Sequence, residues 1–300
     1  MSDQAAWMLL RQTVLSQPPP QLQPLPRQLS AAERHHVKQQ VRLDGFDEGK
    51  IYTFMNEPNT QGYAVDLKGG GILVIYTDKH SVIAPVAKEV DAILKWLGTP
   101  SGFTVYLWWR DDPRILEADT WPTKTQVNGG WARPGKPAVH VYRKEEYIRV
   151  ILHEAIHAME FDWTMPSSPL PCWGLGNDAI VSPHLAEAWT ELYAEWLYCG
   201  WYNISWEKQK TWQQKQAIQI LARQGTHTWS ENTNIFAYYV LKAALAPHIS
   251  FLWIFRNGQT EEEEKRVLCS LVTPNLDAMR QQAKTIRLQK ISMRMTVIKN

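Results

Sequence analysis

His153-Glu154-Ala155-Ile156-His157 gathers metal-binding and proton-transfer side chains into five positions. Two histidines four apart project from one helical face, so both can grip a single zinc ion. The glutamate beside them can polarise water on that ion as a general base. A chain with 9 His in 300 residues meets this pattern by chance with odds of roughly 0.016, so the flanking elements must support it. From Lys144 to Phe161, apolar Tyr147, Ile148, Ile151, Leu152, Ala155, Ile156 and Met159 recur at helical spacing, which gives one broad buried face. Burial there keeps ligands rigid and water out. Upstream, Pro137 to Tyr142 alternates and reads as a strand feeding this helix, with an edge able to take an extended peptide. His140 sits on it as an ordinary strand residue.

A third ligand is expected from a second helix. Ser182-Pro183 is a start signal, with Ser as N-cap and Pro at the first helical position. The segment His184 to Cys199 carries Glu187, Glu191 and Glu195 at four-residue steps among Leu, Trp, Tyr and Ala. Carboxylates on an apolar helix are costly unless paired or metal-bound. Their one-turn spacing leaves open which of the three reaches a metal. His184, at the helix start, reads as a capping or surface residue rather than a ligand.

An H-E-x-x-H pattern followed thirty positions later by Glu187-Ala-Trp-Thr-Glu191 resembles the zincin superfamily, and within it the gluzincins. That resemblance implies Glu187 as third zinc ligand. It implies Glu191 as acceptor for the free ring nitrogen of His153, orienting the imidazole. The metzincin pattern fails, because Glu160 stands where it needs Gly and Trp163 where it needs His. A narrower likeness covers about residues 103 to 250. Val127-Asn128-Gly129-Gly130, His140 to Tyr147, the His153 helix and Thr233 to Lys242 are similar to uncharacterised zincin-like proteins of large DNA viruses, a likeness that brings no substrate with it.

The chain carries 32 basic against 30 acidic side chains, so no general attraction to nucleic acid or membranes follows. Residues 278–300 are basic without an acidic side chain, and read as a docked strand or helix with a solvated face. Fifteen Trp fall largely inside apolar segments and read as core. Three widely spaced cysteines, Cys172, Cys199 and Cys269, point to free thiols in a reducing compartment. No targeting segment or membrane span stands out. The expected location is intracellular, with packaging in a virion a variant of it.

Residues 1–29 form a Pro/Gln-rich arm without a core of its own. Ser30-Ala-Ala-Glu33 is a capping box opening a short helix, on which His35 and His36 are solvated. Ile51–Met55 and Ile72–Thr77 read as strands joined across turn-prone Asp66–Gly71, Pro85–Leu97 as a helix, and Phe103–Trp109 as a buried strand. Gly69-Gly70-Gly71 lacks the Lys-Ser/Thr of a phosphate loop and reads as a turn. Helices are expected over Trp206–Arg223 and Asn234–Ala246. The expected fold is α+β and zincin-like: a small mixed sheet with an active-site helix and a glutamate helix, then a mainly helical lobe. A single catalytic domain spans 30–300, with lobes at about 30–163 and 182–300.

The function expected is a zinc-dependent metallopeptidase acting on a peptide or protein substrate. His153, His157 and Glu187 hold Zn2+, and Glu154 is the general base. Gluzincin-like sites take an oxyanion donor from the downstream lobe, which makes Tyr238, Tyr239, His227 and His248 candidates. Each is equally readable as packing. The alternative is a non-catalytic zincin fold serving as a virion or scaffold component, against which an intact Glu154 argues.

Overall fold

Leu73, Ile75, Val105, Leu107, Val139 and Val141 are all 0% exposed. They are the odd-numbered residues of three neighbouring strands, so one face of a sheet is sealed by period-two alternation. The structure is a computed structural model that describes residues 9–10, 12–14, 16, 25–42, 45, 47–161, 171–175, 185–225, 229–230, 233–249 and 261–297. The chain is α+β and divides into two units.

One unit comprises residues 16–113 and 128–161. Its elements are β1 (Arg27–Gln28), α1 (Ala31–Arg42), α2 (Lys50–Met55), β2 (Gln61–Asp66), β3 (Ile72–Thr77), α3 (Ile83–Leu97), β4 (Thr104–Trp108), β6 (Gly130–Ala132), β7 (Ala138–Val141) and α5 (Tyr147–Ala158). The mixed six-stranded sheet runs β1-β2-β3-β4-β7-β6. The central β3, β4 and β7 are parallel, and β1, β2 and β6 add antiparallel edges. The even-numbered Val74, Tyr76 and Trp108 pack with Val37, Val41, Ile51, Phe54 and Met55 of α1 and α2. In register across four strands lie Val74, Tyr106, His140 and Trp131. The three rings of this row stack, with His140 centred 3.7 Å from Trp131 and 4.6 Å from Tyr106.

The capping box forms as expected: the Ser30 amide donates to Glu33 Oε2 at 2.8 Å, and the Glu33 amide to Ser30 Oγ at 3.2 Å. Arg27 pairs with the same carboxylate, which these bonds hold down to about 2. The Asp66–Gly71 turn also forms, closed by the Leu67 amide on the Gly71 carbonyl at 2.7 Å. Gly70 there has φ 89°, a conformation that favours glycine.

Three expectations are corrected in this unit. Ile51–Met55 is not a strand but lies in α2. Its β-branched and aromatic residues suggested a strand, yet Ile51, Phe54 and Met55 sit at i, i+3 and i+4, and the Asp47 carboxylate accepts the Ile51 amide to start the helix. The strand joined to β3 across the turn, antiparallel to it, is β2. Finally, β7 is not an edge strand. The three residues of β6 close that side of the sheet.

The other unit comprises residues 1–15, 114–127 and 162–300. It contains α4 (Lys124–Val127), α6 (Leu185–Tyr202), α7 (Trp206–Gln224), a π-helical turn (Phe236–Leu241) running into α8 (Lys242–Leu245), and α9 (Glu261–Ala283). β5 (Ile115–Leu116) pairs with β8 (Ile291–Ser292). Leu10, 8% exposed, docks on Gly200 of α6, where any side chain would collide with it. Among its described residues, the expected arm thus buries Leu10 here, and supplies strand β1 and buried Leu29 to the sheet-containing unit.

The tail docks as expected, held through its backbone. Gln209, Trp212, Gln216 and Gln219 of α7 donate to the carbonyls of Met295, Arg294, Ser292 and Arg287 at 2.8–3.1 Å. The cysteine expectation is corrected: Cys172 and Cys269 form a disulfide with Cα atoms 5.6 Å apart, leaving Cys199 free and buried. Wide spacing in sequence was no bar, because the turn Pro171–Trp173 packs on α9. The inference of a reducing compartment loses its support. Among the described residues, no helix is long and apolar enough to cross a membrane.

Candidate functional site

The loop leading into α5 is fixed by buried charge. Arg110 donates to Asp47 at 2.8 Å and to Asp112 at 3.0 Å. Arg143, 2% exposed, donates to the Asp112 carbonyl at 3.1 Å and the Asn128 carbonyl at 3.3 Å. The Tyr142 amide bonds the Gly129 carbonyl and the Lys144 amide the Arg110 carbonyl. Glu146, at φ 58°, then turns the chain into the helix. Tyr147 at its first turn donates to Glu89 of α3.

On α5, His153 is 4% exposed, Glu154 7%, and His157 half-buried. The two Nε2 atoms stand 3.0 Å apart with the rings at 71°. Two nitrogens each about 2.0–2.1 Å from one tetrahedral ion would stand roughly 3.3 Å apart, so this pair fits a shared metal. Edge strand β6 runs beside Glu154. A Cβ on Gly130 would lie 2.3 Å from the His140 oxygen, 2.7 Å from Val150 Cγ1 and 3.3 Å from Glu154 Cγ. Glycine is what lets the strand pass that close.

In the other unit, α6 carries all three glutamates on one side. Glu187 is half-buried, Glu191 is 1% exposed and Glu195 0%. Tyr238, from the π-helical turn, donates its hydroxyl to Glu187 Oε2 at 2.9 Å. π-helical turns often mark functional positions. Tyr239, fully buried, donates instead to the Met293 carbonyl at 2.8 Å, so its proton is committed to the tail. His248 contacts the Asn275 amide at 3.2 Å. Ser182, Pro183, His184 and His227 lie outside the described residues.

Glu195 pairs in full burial with Lys242 and with Gln209 and Gln213. Burial pushes its carboxyl upward, and the Lys242 charge pulls it back. His140 stays neutral, since burial among aromatic rings holds it down to about 3. His35 and His36 are exposed and bond Gln39 and Gln40.

Sequence reasoning missed β6 as the edge beside Glu154, and it missed Lys242. The signal for Lys242 was present: a lysine inside the apolar run Phe236 to Ala246 requires a buried partner. Searches against protein-family models, curated proteins and solved structures found no match to this chain.

Proposed function

We propose that this protein is a zinc-dependent peptidase with a zincin-like, gluzincin-type arrangement. The observation that carries the proposal is the α5 pair, with two imidazole Nε2 atoms 3.0 Å apart and Glu154 buried between their positions. Glu187 is the third ligand in this reading, the role that the H-E-x-x-H and E-x-x-x-E likeness implies for it. Two nitrogens and a carboxylate oxygen are the donor set of catalytic zinc, which takes three protein ligands and keeps a fourth position open.

Zinc held by these residues would supply Lewis-acid activation of water, lowering its pKa towards about 7. Glu154 takes the proton of the attacking water and delivers it to the leaving amine. In this reading Glu191 has the orienting role toward His153 that the zincin likeness implies. Tyr238, whose hydroxyl donates to Glu187 in the structure, would turn from that carboxylate to serve as donor to the developing oxyanion. The substrate is an extended peptide that pairs with the edge strand β6.

Purified protein should hold about one zinc, and His153→Ala or His157→Ala should lose it. Glu187→Ala should weaken zinc most and Glu191→Ala by roughly 10–100-fold. Glu154→Gln removes the base but no ligand, so it should keep zinc and fold while abolishing cleavage of a peptide library. Absence of zinc after refolding with excess metal would end the proposal. A Glu154→Gln protein equal to wild type in every hydrolysis and biological assay would leave a scaffold protein in its place.

A further inference from the structure

Glu195 and Lys242 have side chains 0% exposed, and the hydrolytic scheme uses neither. A buried ion pair is a poor source of stability, because desolvation of two ions offsets their attraction and an apolar pair of similar volume often does as well. What such a pair does supply is direction.

Three helical segments meet at this one carboxylate, and the tail joins them through Gln209. Lys242, at the start of α8, donates to Glu195 Oε1, while Gln209 at 2.7 Å and Gln213 donate to Oε2 from α7. Gln209 also grips the tail, donating to the Met295 carbonyl at 2.8 Å and accepting the Val297 amide at 3.0 Å. Both oxygens of Glu195 are thus held by charge-assisted bonds, which α6 cannot rotate away from without breaking several together.

The geometry relates this node to the candidate ligand. Glu195 follows Glu187 by two turns of α6, and Lys242 follows Tyr238 by about one turn. The Tyr238–Glu187 bond and the Lys242–Glu195 pair are therefore two links between the same two helical segments. Two links fix both the rotation and the axial position of α6. The required tolerance is small. A rotation of about 20° swings a carboxylate at the helix rim, about 5–6 Å from the axis, through roughly 2 Å. That is a whole zinc–oxygen bond.

We infer that Glu195 and Lys242 are a positioning pair that fixes the rotation of the glutamate helix, so that Glu187 and Glu191 are presented for metal binding. The inference rests on the metal-site proposal above. It adds that the third carboxylate of the row, which binds no metal, determines how well the first one does.

The test uses the full chain with Glu195→Gln and Lys242→Met together, which removes both charges at similar volume. Metal-free unfolding, zinc affinity by competition with a chromophoric chelator, and the visible spectrum of the Co2+-loaded protein are measured. The metal-free variant should melt within about 4 °C of wild type. Its zinc affinity should fall about 10–100-fold, as for other residues that orient ligands, and its cobalt bands should shift. Unchanged zinc affinity and cobalt spectrum would overturn the inference. Should the double variant not fold, Gln213→Met removes one bond to Glu195 and leaves the ion pair, and unchanged affinity there overturns it equally. A wild type that binds neither zinc nor cobalt refutes the metal site itself. A wild type that binds and a variant that binds equally well refute only the positioning pair.

Discussion

His140 should make the sheet-containing unit acid-labile by a calculable amount. Its ring is 4% exposed and stacked between Trp131 and Tyr106 in a cross-strand row. Burial holds its folded-state pKa at about 3, with Arg133 lowering it further, against about 6.5 in the unfolded chain. Between those values the unfolded state binds a proton that the folded state refuses, so stability rises with pH across the window and is lost as pH falls. The slope approaches about 1.4 kcal/mol per pH unit, and from pH 8 to pH 5 the loss from this one group comes to about 2 kcal/mol. His140→Phe keeps a flat ring in the stack and removes the titration. Urea unfolding of wild type and variant at pH 8, 6.5 and 5 isolates the group, because every other titration cancels in the difference. The stability of wild type should decline toward pH 5 by about 2 kcal/mol more than that of the variant. Equal declines, or a folded-state His140 resonance titrating near pH 6, would refute the argument that burial in the aromatic row controls this residue.

Two further outcomes follow from covalent and steric features. Replacing Cys172 and Cys269 by Ser together opens a cross-link between residues 97 apart. The chain-entropy treatment assigns that up to about 4.7 kcal/mol, so the urea midpoint should fall, and an unchanged midpoint would mean the thiols are unpaired in solution. Gly130→Ala places a methyl 2.3 Å from the His140 carbonyl oxygen and 2.7 Å from Val150. Overpacking of this kind costs about 1–3 kcal/mol, so the melting temperature should drop. A variant as stable as wild type would show that β6 does not lie against α5 as described.

Periodicity made much of this fold legible before any coordinates. The α5 pattern of Ile148, Ile151, Leu152, Ala155 and Ile156 is apolar at helical spacing, and those residues are buried. The strands β3 and β4 were equally plain as short apolar runs, and β7 by its alternation. Misreadings arose where local composition and tertiary partners disagreed. Ile51 to Met55 has strand-like residues, but a carboxylate four positions before Ile51 caps it as a helix. β6 holds only three residues, Gly-Trp-Ala, too few for any period, and it exists because β7 offers it an edge.

The acidic row on α6 shows the same division at the candidate site. Spacing alone puts Glu187, Glu191 and Glu195 on one side of the helix and says nothing more, since successive residues at i+4 are equivalent by symmetry of the repeat. What separates them is the partner each meets, and those partners are distant in sequence. Tyr238, 51 positions away, reaches Glu187, and Lys242, 47 positions away, reaches Glu195. Glu195 meets a lysine in full burial, whereas Glu187 meets a phenol and is half-buried. The sequence therefore locates the acidic row, and the long-range pairing tells its members apart: Glu195 is fixed by Lys242, and Glu187 accepts a tyrosine hydroxyl.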